Sequence, residues 1–144
     1  MIRNMLPKDI QDVGQVWLTT SIIAHSFVPE EFWRSDLKIM TTEILPHPNT
    51  RGYVHEEAGV IDAFISLSGD NIGCLFVLPE KQGSGIGSAL LDYVKQNHTK
   101  LNLNVYKKDE SAVGFYQSQA FRIVGGSICT YTQCEEHNML WERS

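Results

Sequence analysis

The chain has 144 residues, 42% hydrophobic and 20% charged, with 12 Lys and Arg against 17 Asp and Glu for a net charge of −5. That is the size and composition of one globular domain over residues 1–144, able to bury a core without disulfide or metal staples. The acidic balance disfavours nucleic acid as a partner, and no stretch approaches the roughly 18 consecutive apolar residues of a membrane span. Cys74, Cys129 and Cys134 lack any CxxC spacing, and the five histidines never cluster with them, so neither a disulfide frame nor a metal site is expected. Free thiols and an opening segment without a signal-peptide apolar run suit a cytoplasmic protein.

In chain order, Ile2 to Met5 reads as a short strand, and Asp9 offers an N-cap for a helix with Ile10, Val13 and Trp17 on one face. His25 to Pro29 breaks that pattern. A second helix follows, with Trp33, Leu37, Met40 and Ile44 at helical spacing until Pro46 and Pro48. The period then changes: Gly52 to Glu56 and Val60 to Leu67 read as strands around Glu57-Ala58-Gly59. Ile72 to Leu78 is a nearly continuous apolar run, the pattern of a strand covered on both faces. Gly85 to Asn97 is the clearest helix, with Ile86, Ala89, Leu90, Tyr93 and Val94 on one face. Leu101 to Val105 is a strand, Ser111 to Gln119 a shorter helix, and Phe121 to Tyr131 and Asn138 to Trp141 the last strands. The fold class is α/β (α+β): a mixed sheet with helices on its faces.

The stretch Gln82-Gly83-Ser84-Gly85-Ile86-Gly87-Ser88 links the apolar strand to the clearest helix. Alternate glycines remove the Cβ atoms that would hold a ligand off the backbone. The unpaired N–H groups of the first helical turn and the helix dipole then favour a phosphate without any basic side chain. A Walker loop is excluded because no Gly-Lys pair occurs, and a dinucleotide GxGxxG fails because Ser88 holds the third glycine position. What matches is Q/R-x-x-G-x-G/A, at Gln82, Gly85 and Gly87. A second pattern, Asp109, Ala112, Phe115-Tyr116 and Ala120-Phe121, follows the next strand.

With these motifs the chain resembles the GNAT family of acyl-CoA N-acyltransferases, in its small single-domain form, over about residues 2–141. The resemblance implies a mostly antiparallel central sheet of six to seven strands with about four helices. It implies acetyl-CoA as acyl donor, its pyrophosphate on the amides of Gln82, Gly83, Ser84, Gly85, Ile86, Gly87 and Ser88, and its pantetheine arm along Phe76 and Val77. The acceptor would be a primary amine, of a protein lysine or N-terminus or of a small molecule. A homodimer is compatible with the same reading, and a degenerate acyl-CoA-binding module or sensor is the alternative. Asp109 stands where the family usually has asparagine, and so sets a negative charge near the cofactor. Ala120 stands where glycine is usual, so the helix before it is expected to end without a left-handed residue.

Tyr116 is the expected catalytic group: a phenol is protonated at neutral pH and can protonate the leaving thiolate. No carboxylate or histidine lies on Ile72 to Leu78, where many family members carry a glutamate base. Candidates for the base are Asp70, Glu56, His25 or a relay of waters.

Overall fold

The computed structural model describes residues 1–144. Its elements are β1 (Ile2–Asn4), α1 (Ile10–Ala24), α2 (Glu30–Ile39), β2 (Arg51–Glu57), β3 (Val60–Ser68), β4 (Asn71–Val77), α3 (Ile86–Lys95), β5 (Lys100–Tyr106), α4 (Glu110–Ser118), β6 (Arg122–Ile128) and β7 (Glu135–Glu142). The seven strands form one sheet in the order β1-β2-β3-β4-β5-β7-β6. Only β4 and β5 run parallel; every other neighbouring pair is antiparallel. The α/β reading and the strand and helix counts hold. No helix is long and apolar enough to cross a membrane.

Each face of the sheet carries its own core. Leu90, Leu91 and Val94 of α3 and Tyr116 of α4 pack on Ile65, Leu101 and Met139 on one face. Val13, Val16 and Trp17 of α1 and Trp33 of α2 pack on Val54 and Phe64 on the other. Strand β3 serves both by alternation, with Phe64 on the α1 side; in its pairing with β2 a bulge follows, where His55 pairs with Ala63 and Glu56 with Ile61, leaving Asp62 as the extra residue. Ile61 thus joins the α1 core while Ala63, Ile65 and Leu67 join the α3 core. Asp62, 1% exposed, is bound by His55 Nδ1 at 2.6 Å. Strand β6 is exposed along its whole length, as an edge strand that no helix covers.

Three local expectations change. Asp9 precedes α1 but does not cap it. Its Oδ2 accepts from Leu6 N–H and from Arg3 Nη1, each at 2.7 Å. Arg3 Nη2 also reaches Glu56 at 3.1 Å, and its hydrogen bonds hold both carboxyl groups below their ordinary pKa values. The second helix ends at Ile39, after which Met40–Ile44 forms a wider π turn. There the Thr41 and Thr42 hydroxyls donate back to the Leu37 and Lys38 carbonyls, competing with the regular ladder. Finally, β4 is not covered on both faces. Gly73 is exposed and Cys74 to Val77 are only half-buried, because β4 pairs with β5 at Asn71 and Ile72 alone. Beyond Gly73 the two strands diverge, and a cleft opens between them.

Candidate active site

Two cavities fill that cleft. The larger, about 670 Å³, runs from the glycine-rich turn to Tyr116. The smaller, about 200 Å³, lies on the side of α1 and α2. They share Leu75, Phe76, Asp109, Ala112 and Tyr116, so these residues stand where one cavity meets the other.

The larger cavity gathers nearly all the residues expected to hold an acyl-CoA. Phe76, Val77, Gln82, Gly83, Gly85, Ile86, Gly87, Ser88 and Asp109 are on its wall. Ser84 is not; its hydroxyl turns back to the Lys81 carbonyl. Gly83 has φ +79° and Gly85, the N-cap of α3, φ +90°. A Cβ at either would meet nothing within 4 Å, so the backbone faces open space as a phosphate cradle requires. Gly87 is needed for a different reason: a Cβ there would lie 3.2 Å from the Phe115 ring. Gln82 folds back, its Nε2 donating to the Val77 carbonyl at 2.9 Å, which ties the turn to the end of β4. Lys81, which the motif did not single out, also lines this cavity and pairs with Glu57 at 3.2 Å.

Tyr116 is 8% exposed, with its ring edge-on to Phe115 and Phe121. Burial pushes its phenol well above the ordinary value, with Cys74 and Asp109 adding to the shift. It therefore stays protonated at physiological pH. The helix end that holds it corrects the reading of Ala120, which adopts φ +70°. Phe121 N–H donates to the Tyr116 carbonyl at 3.0 Å and Ala120 N–H to Gln117 at 3.2 Å, the two bonds of a Schellman motif.

Of the candidate bases, only His25 reaches the site. Glu56 is engaged by Arg3, and Asp70 accepts from His98 Nδ1 at 2.9 Å; neither lines either of the two cavities. His25, at the C-cap of α1, is 8% exposed and lines the smaller cavity. Its Nε2 lies 3.1 Å from Asp109 Oδ2, while Asp109 Oδ1 accepts from Ala112 N–H at 3.2 Å and caps α4. Tyr106, Phe27, Trp33 and Phe76 surround the imidazole, the nearest ring centroid 4.8 Å away.

Glu136 of β7 also lines the smaller cavity, and burial raises its carboxyl above the ordinary value. The chain signal for it was weak, because only its pairing with Tyr106 across β5 and β7 brings it in. Cys74 lines this cavity too, but burial pushes its thiol up to about 11, which leaves it no nucleophile. Lys107 pairs with Glu135 at 3.4 Å and Lys108 lies over the Phe27 ring, so neither reaches the phosphate end.

Residues 14–143 match the family model described as an acetyltransferase (GNAT) domain. The chain is 33% identical over 142 residues to a peptidyl-lysine N-acetyltransferase, YiaC, of Escherichia coli K12, covering 98% of this chain and 96% of that one. Its fold is similar to that of apo YjaB from Escherichia coli, with TM-score 0.86, 22% identity and 100% and 98% of the two chains covered. It is similar too to the PaiA N-acetyltransferase of Thermoplasma acidophilum, solved with coenzyme A: TM-score 0.82, 16% identity, 99% and 98% covered. The chain belongs to the GNAT family and is an acetyl-CoA-dependent N-acetyltransferase.

Proposed function

We propose that the acceptor is the ε-amine of a peptidyl lysine, and that Tyr116 protonates the sulfur as the acetyl group leaves it. The observation that carries this reading is the pair of cavities meeting at Tyr116. One is long and glycine-lined at its far end, fit for a phosphate-bearing donor. The other is small, walled by Trp17, Trp33 and Tyr106, and carries Glu136. Aromatic walls suit an aliphatic stem and attract a cation, and a carboxylate adds charge selectivity. That combination describes a lysine side chain, and the similarity to a peptidyl-lysine N-acetyltransferase supports it.

The donor's pyrophosphate would rest on the amides of Gln82 to Ser88, with Lys81 beside them. Its pantetheine arm would run along Phe76 and Val77, on the edge of β4 that has no strand partner beyond Gly73. Asp109 would face the thiol end. The three free cysteines suit a reducing compartment, and the cytoplasm is assigned on that ground.

The test is mass spectrometry of lysine peptides with blocked and with free N-termini, and of small amines, incubated with the protein and labelled acetyl-CoA. Label should appear on lysine. Label confined to free α-amines or small amines, or acetyl-CoA binding with no transfer, contradicts the reading; the last outcome would identify a binding module.

A further inference from the structure

Resting on that acceptor reading, we propose that His25 is the terminal acceptor of the attacking amine's proton, and that Asp109 is the positioning residue that fixes its tautomer. An ionised carboxylate only accepts hydrogen bonds, so His25 Nε2 must carry the hydrogen shared with Asp109 Oδ2. Nδ1 is then left with its lone pair, and that atom is buried with no hydrogen-bond partner in the protein. One helical turn earlier, Ser21 Oγ is also buried and without a partner. Both residues lie on the wall of the same cavity, which is roomy enough for several waters. A small rotation of either side chain would let solvent in this space bridge the two atoms and link the imidazole to the amine.

The protons balance as follows. The lysine ammonium passes one proton through cavity water to His25 Nδ1, and Asp109 stabilises the imidazolium. The freed lone pair forms the N–C bond as the C–S bond breaks. The sulfur leaves with that electron pair and takes the Tyr116 phenolic proton. The second nitrogen proton, made acidic as the amide forms, returns through solvent to the Tyr116 oxygen. His25 then releases its proton to bulk water. Ammonium and thioester have become amide, thiol and one proton.

The imidazole must be neutral to accept a proton, so its role gives kcat/KM an acidic limb. Asp109 and Tyr106 contact it directly, Tyr116 of α4, Cys74 of β4 and Glu136 of β7 line the same cavity, and Lys108 lies over the adjoining Phe27 ring.

The experiment measures kcat/KM against pH with acetyl-CoA and a blocked lysine peptide, alongside calorimetry of acetyl-CoA binding. His25→Gln should lower kcat/KM about 10²-fold or more and remove the acidic limb, with donor affinity unchanged. Asp109→Asn is the second variant. Its Oδ1 keeps the α4 cap, but its amide now donates to Nε2 and moves the hydrogen to Nδ1, so a loss of similar order is expected. Glu136→Gln should raise the peptide KM and keep the limb. Either of the first two variants retaining the wild-type rate and profile, or Glu136→Gln abolishing the limb, overturns the assignment of His25. Wild-type protein that transfers nothing to lysine peptides overturns the acceptor reading and the proposal with it.

Discussion

Ala120 shows how one backbone angle supports the chemistry. An L-residue in the left-handed region costs about 1–2 kcal/mol, yet the chain accepts it at φ +70°. Only that angle lets Phe121 N–H reach the Tyr116 carbonyl while the two rings stay in contact, their centroids 5.6 Å apart. The strained residue is exposed and one turn from the phenol it helps to hold. Ala120→Gly should remove the strain at the cost of a more flexible unfolded chain, a net gain of about 0.5–1 kcal/mol. In a chain of this size that raises Tm by a few degrees, which calorimetry can read. An unchanged or lower Tm would mean that the Ala120 backbone is not strained. A motif comparison sees alanine replacing glycine and suggests the turn has changed; the hydrogen bonds show that it has not.

The strand, turn and helix running from β4 through the glycines to α3 form the element most legible in the sequence. Its periodicity, its glycines and its position after an apolar strand agree, and each has a local cause. Less legible was what depends on partners distant in the chain. The apolar run of β4 promised cover on both faces, but cover depends on β5 continuing alongside, and pairing stops after two residues. Glu136 had no local signature at all. The phosphate role proposed for the turn predicts that Gly85→Glu weakens acetyl-CoA binding at least tenfold, by setting a carboxylate where the anion would rest. Gly85 has φ +90°, so the substitution also strains the backbone. Gly59, at φ +80° in the β2–β3 hairpin with open space around it, supplies the matched control. Gly59→Glu should lose comparable stability and no affinity. Calorimetry giving both variants wild-type affinity would contradict the phosphate role.

At the scale of the whole molecule, the divergence of β4 and β5 splits one sheet into two halves, β1 to β4 packed with α1 and α3, and β5, β7 and β6 contacted by α4 at β5. The larger cavity draws on α3 and the C-terminal end of α1, the smaller on α1 and α2, and α4 lines both. Donor and acceptor can therefore occupy adjoining cavities and meet without exchanging places, as direct transfer requires. Tyr116 occupies the meeting point, with its hydroxyl protonated by burial. General acid catalysis, the role proposed for it, contributes about 10²–10⁴-fold, or about 2.7–5.4 kcal/mol of barrier. Tyr116→Phe keeps the ring and its contacts with Phe115 and Phe121 while deleting the proton donor. The decisive measurement is the single-turnover rate of acetyl transfer by that variant, with donor affinity measured in parallel. A fall of about 10²-fold or more at unchanged acetyl-CoA affinity is expected; a folded variant that transfers at the wild-type rate would contradict the role assigned to Tyr116.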